Sequence, residues 1–129
     1  MKPGLTNRAK GRRTASAPSA AEPLWYKDAI FYELRVGAFS DSDGDGIGDF
    51  RGLTERLDYL RDLGVNTLWI SPLNEATPGD FGYEVLDHAK LRADYGRPAD
   101  LQRLVRGAHA RGMKVLLDFV PNHVFDEHR

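Results

Sequence analysis

Residues 25–129 predict an α/β protein whose strands run parallel, in the order β-α-β-α-β. Three observations carry this reading. There are three short apolar runs rich in aromatic and branched side chains, two amphipathic stretches between them, and a glycine just past each amphipathic stretch. Strands that alternate with amphipathic helices are joined by right-handed crossovers, and such crossovers make the sheet parallel.

The first apolar run, AIFYELRVGAF over residues 29–39, reads as a buried strand. Phe50, Leu53, Leu57 and Leu60 then recur at helical spacing while Arg51, Glu55, Asp58 and Arg61 face elsewhere, and Gly64 ends the helix. VNTLWISP, residues 65–72, is the second strand, stopped by Pro72. Leu101, Leu104, Val105 and Ala108 define a second helix, with Pro98 in its first turn and Gly112 past its end. KVLLDFV, residues 114–120, is the third strand. Between Pro72 and the second helix lie 25 residues with no strong pattern of their own. A connection of that length at the carboxyl end of a parallel strand stands where α/β proteins place ligands.

Composition narrows the function classes. At 41% hydrophobic and 29% charged the chain is globular in character, and its longest apolar runs are far too short to span a bilayer. The net charge of −1 points to neither nucleic acid nor an anionic membrane. Without cysteine there is no disulfide scaffold and no thiolate metal site. Residues 1–24 stand apart. They carry five Lys or Arg against one Glu and are rich in Ala, Ser, Pro and Gly, which is the composition of a disordered basic tail. They contain no continuous apolar stretch of a secretory leader, so cytoplasmic location is the default expectation.

The densest chemistry lies in DSDGDGIGDF, residues 41–50. Asp41, Asp43, Asp45 and Asp49 offer carboxylates and Ile47 a backbone carbonyl, while Gly44, Gly46 and Gly48 allow a tight curl. Four carboxylates this close repel one another without a cation, and hard oxygens at this spacing suit Ca2+. The loop departs from the EF-hand template at its twelfth position, where Gly52 replaces the bidentate glutamate, and it follows a strand. The expectation is a structural calcium loop that joins the first strand to the first helix, with Asp49 also capping that helix.

Four segments then coincide: WYKDAIFYELRVGAF, DSDGDGIGDFRGLTERLDYLRDLGVNTLWISP, FGYEVLDH and DYGRPADLQRLVRGAHARGMKVLLDFVPNH. In this order they resemble the amino-terminal part of glycoside hydrolase family 13, the α-amylase superfamily, and are most similar to its α-amylase, α-glucosidase and trehalose-synthase branches. The resemblance implies an incomplete (β/α)8 TIM barrel holding the first three strands, and retaining cleavage or transfer of α-glucosidic bonds in α-glucans or maltooligosaccharides. Family members carry their nucleophile and acid/base on the fourth and fifth strands, so no catalytic residue is expected here. The resemblance assigns His123 to a hydrogen bond with the sugar at the cleavage point, Tyr83 to stacking on the same sugar, and Asp118 to ordering the pocket groups. Asn122 matches a calcium ligand of members whose ion sits elsewhere. Glu84, Arg97 and Gly37 depart from common family residues, being respectively aspartate in several glucosidases, a capping threonine, and a larger side chain.

Other constellations carry less. Asp80, Glu84, Asp87 and Asp94 crowd the long connection, but nothing in their spacing fixes a pair about 5–5.5 Å apart. His123 and His128 with Asp126 and Glu127 match no zinc signature. A second functional class stays open: a non-catalytic calcium- or sugar-binding module that self-associates through exposed sheet edges.

Overall fold

The computed structural model describes residues 24–128. Of the expected basic tail, all but Leu24 lies outside the described residues. The order is β1 (Phe31–Leu34), α1 (Phe50–Glu55), α2 (Leu57–Asp62), β2 (Thr67–Ile70), β3 (Asn74–Ala76), β4 (Val85–Leu91), α3 (Pro98–Ala110) and β5 (Lys114–Leu117). Strands β1, β2 and β5 form one parallel sheet in that spatial order, with Phe31 beside Thr67 and Thr67 beside Lys114.

The strands are shorter than the apolar runs that announce them. The first ends at Leu34, and Val36–Ala38 forms a 3-10 turn instead of continuing the strand. The turn lets Gly37 O accept from Gly48 N at 2.8 Å and Ser40 O accept from Asp49 N at 3.0 Å, so the backbone after β1 pairs with the aspartate loop. The helix expected from Phe50 onward is broken at Arg56, whose backbone leaves the helical region at φ −98° and ψ 3°. Two residues earlier Thr54 Oγ1 donates back to Phe50 O at 2.6 Å, a contact of the kind that bends helices. Its apolar stripe survives the break, because Phe50, Leu53, Leu57 and Leu60 are all fully buried.

Side chains alternate across the sheet. The row of Tyr32, Leu68 and Val115 packs against the helices, as do Leu34 and Ile70 of the next row while its third member, Leu117, stays exposed; Leu104, Ala108 and Met113 complete the core. The opposite face shows Phe31, Glu33, Trp69 and Leu116 to solvent. Arg111 at the end of α3 grips Asp58 on α2 through two bonds of 2.9 and 2.8 Å, tying the two helices together.

The 25-residue connection is not structureless. Strands β3 and β4 pair antiparallel within it, Asn74 opposite Leu91 and Ala76 opposite Val85, with irregular register between. No described helix is long and apolar enough to cross a membrane.

Candidate functional site: an acidic loop and a tyrosine–aspartate–histidine rim

All three parallel strands point their carboxyl ends the same way, and two polar clusters are built on that end. The ladder continues past the strands themselves: Ser71 N donates to Leu34 O at 3.0 Å and Asp118 N to Ile70 O at 2.8 Å. The residues that follow β2 and β5 are thereby fixed before their side chains act.

The first cluster is the aspartate loop. Asp41, Asp43 and Asp49 each bring one carboxylate oxygen within 4.8 Å of the others; Asp45 is not part of this convergence. The curl is held by backbone N–H groups. Asp41 accepts from Asp43 N at 3.0 Å, Gly44 N at 2.7 Å and Gly46 N at 2.8 Å, and these donors hold its carboxyl below the usual carboxylate range. Gly44 and Gly46 adopt φ of 86° and 91°, a region closed to most side chains. Gly48 does not, so only two of the three loop glycines serve curvature.

Asp49 is the buried member. It caps α1 through Gly52 N at 2.7 Å and also accepts from Ser42 N and Ser42 Oγ at 2.9 Å. Burial opposes its ionisation, but the bonds from Gly52 and Ser42 outweigh burial and leave its acidity increased. Gly52 itself explains the departure from the EF-hand template. A Cβ there would stand 2.1 Å from Ser40 O, so no glutamate fits. The donor set that remains is oxygen throughout, anionic and convergent, and suits a hard cation of the calcium type.

The second cluster lies at the ends of β5 and the β3–β4 hairpin. Tyr83 donates its hydroxyl to Asp118 Oδ2 at 2.8 Å, and that bond, aided by burial, raises the phenol above its ordinary range. His123 Nε2 lies 2.9 Å from Tyr83 O, which can only accept, so the ring carries its hydrogen on Nε2. His123 Nδ1 then accepts from Asn122 Nδ2 at 2.6 Å. Tyr83, Asp118 and His123, distant in sequence, therefore form one rim. Both nitrogens of His123 are engaged within it, so a sugar hydroxyl would have to displace one of these partners.

The other acids of the connection have local tasks. Asp80 accepts from Gly82 N and Glu84 N, Glu84 from Thr77 Oγ1, and Asp87 from Ala89 N, while Asp94 stands 3.6 Å from Arg92. None of these contacts sets up a facing carboxylate pair. Two features were not visible in the sequence. Arg35 stacks its guanidinium 3.8 Å over the Phe81 ring, and His88 reaches from β4 to Val120 O at 2.9 Å and His128 Nε2 at 3.2 Å. Both need the hairpin, which sequence periodicity did not disclose.

The profile of the α-amylase catalytic domain matches residues 36–129. This chain belongs to the α-amylase family. It is 44% identical over 104 residues to an oligo-1,6-glucosidase of Heyndrickxia coagulans, covering 81% of this chain and 19% of that protein. It is 46% identical to the trehalose synthase/amylase TreS of Mycolicibacterium smegmatis, covering 81% of this chain and 18% of that one. Among solved structures, the Bacillus licheniformis trehalose-6-phosphate hydrolase superposes with a TM-score of 0.78 at 39% identity, over 81% of this chain and 19% of that one. The chain thus spans about a fifth of the length of the relatives it matches. Its parallel three-stranded sheet is part of the (β/α) barrel of the α-amylase catalytic domain.

Proposed function

We propose that the chain is the amino-terminal, substrate-facing segment of an α-amylase-type glycoside hydrolase or transglycosylase that acts on α-glucosidic bonds by a retaining mechanism. The observation that carries the reading is the convergence of Tyr83, Asp118 and His123 at the carboxyl end of the parallel sheet, the end where (β/α)8 barrels bind substrate. Tyr83 offers an aromatic face to the C–H side of a glucose ring. Asp118 holds the tyrosine hydroxyl, and His123 supplies a polar group that exchanges its bond with Tyr83 O for one with a sugar hydroxyl. Calcium at Asp41, Asp43 and Asp49 would pin β1 to α1, with the Ile47 carbonyl as a further oxygen and Asp45 joining only if its side chain turns from its bond with Ile47 N. Its chemistry there is structural, and the chain's own bonds already shape the loop.

The test is maltose titration followed by NMR on residues 1–129. Shifts confined to the 81–84 and 118–123 segments support the reading, and Tyr83→Ala and His123→Ala should remove them. Shifts elsewhere, or none, would reject it. The same polypeptide is expected to release no reducing sugar from maltooligosaccharides, and turnover by preparations freed of host amylase would refute that part.

A second reading is favoured by the exposed row of Trp69 and Leu116 beside the open edge of β5: a non-catalytic module that self-associates. A defined oligomer in sedimentation, lost in Trp69→Ser, would select it.

A further inference from the structure

We propose that His88 is a positioning residue for the rim, holding the turn that carries Asp118 and His123 against the hairpin that carries Tyr83. The purpose assigned to it rests on the sugar-binding reading above, whereas the hold itself is a matter of geometry. Residues 118–123 leave β5 and cross the end of the hairpin. The rim residues grip the two ends of this turn, Tyr83 Oη on Asp118 and His123 on Tyr83 O. His88 grips its middle. Its Nε2 meets the carbonyl of buried Val120 at 2.9 Å, and its ring sits edge-on to Phe119 with centroids 5.5 Å apart. Among the described residues, the Val120 carbonyl accepts no backbone N–H, so loss of His88 would leave a part-buried acceptor without its protein partner. His88 is itself fixed from behind, because Asn74 Nδ2 donates to its backbone carbonyl at 2.7 Å.

A carbonyl oxygen only accepts, so the His88 ring carries its hydrogen on Nε2. Its Nδ1 faces His128 Nε2 at 3.2 Å.

The experiment compares His88→Gln, whose amide keeps a donor near Nε2, with His88→Phe, which keeps the ring and loses the donor. The readouts are the Tyr83–His123 NOE and maltose affinity. His88→Phe is expected to lose the NOE and weaken maltose about tenfold, the size of one lost hydrogen bond, while His88→Gln recovers most of both. Should His88→Phe fail to fold, the NMR shifts of the His88 ring nitrogens in the unaltered protein decide. A hydrogen on Nε2 supports the proposal, and a hydrogen on Nδ1 alone overturns it. An intact NOE in His88→Phe, or an equal loss in His88→Gln, also overturns it. If the unaltered protein does not bind maltose, the sugar reading falls, but the NOE still reports on His88.

Discussion

One face of the three-stranded sheet is covered by helices, save at Leu117 on its edge, while the other presents Phe31, Glu33, Trp69 and Leu116 to solvent. Glu33 apart, the side chains named on the open face are as apolar as those on the sealed one. Leu68 and Trp69 are neighbours on β2, yet one is fully buried and the other is 40% exposed. In a closed barrel such an inward row is filled by side chains from the other strands. The difference teaches that apolar character in a strand shows what the residue is built to meet, and that only packing shows whether it has met it. The hydrophobic stabilisation of this chain should therefore come almost wholly from the helix side.

The strongest way to break that comparison is truncation on each face. Leu53→Ala or Leu68→Ala opens a cavity in the sealed layer and should cost about 2–5 kcal/mol in urea unfolding. Trp69→Ser, on the open face, should cost under about 1 kcal/mol and reduce self-association. Equal losses would mean that both faces are covered in solution.

Calcium tests the same asymmetry, because the aspartate loop anchors α1, a helix of the sealed side. At a hundredfold excess over its dissociation constant the ion should stabilise by about 2.7 kcal/mol, seen as a rise in Tm reversed by chelator. Asp49→Asn keeps the helix cap and should lose the calcium response. Asp49→Ala should lose both, with about 1 kcal/mol more lost without calcium. The sign with pH follows from the direction of the shifts. Asp41 and Asp49 are more acidic folded than unfolded, so their contribution is present above the ordinary carboxylate range and lost as pH falls through the depressed values. A chain indifferent to both calcium and chelator would leave the loop a solvated turn.

Much of this architecture was legible in the residues. The alternation of apolar strands with 3.6-periodic stripes, and the glycines at 64 and 112, are strong signals because burial enforces them. The β3–β4 hairpin left no such trace. Asn74–Ala76 is three polar or small residues, half-buried and in irregular register, so it has neither the length nor the alternation that announces a strand. His88 was hidden with it, since its contacts exist only once the hairpin folds back over residues 119–128. The break at Arg56 was equally silent, because the apolar spacing runs through it unchanged. The meeting of Tyr83, Asp118 and His123 was suggested by family resemblance, and no local pattern would have joined residues 35 to 40 positions apart. Within the aspartate loop, spacing alone could not separate Asp45 from the three carboxylates that converge.

The rim gives a smaller test on the open side. Asp118→Asn weakens the hydrogen bond that most raises the Tyr83 phenol and removes the charge that adds to it, so Tyr83 should ionise at lower pH in an absorbance titration. In the unaltered protein the Tyr83–Asp118 bond contributes below the ordinary phenol range, about pH 10, and is lost as pH rises through the elevated value. An unchanged titration would mean that the two side chains do not meet.

The smallest effect is expected at the start of α3. Arg97 occupies the capping position, but a guanidinium has no acceptor to offer the first N–H groups of a helix. Half of the usual reciprocal arrangement persists, since Asp100 Oδ2 accepts from Arg97 N at 3.1 Å. Arg97→Thr should complete it and stabilise by about 0.5–1 kcal/mol, without touching either face of the sheet. Asp100→Ala should cancel part of that gain, because the two halves share one turn. If Arg97→Thr destabilises instead, the aliphatic stem of the arginine contributes more through packing over the helix start than a cap would, and stabilisation at the rim of the sealed layer would then rest on contact area there too.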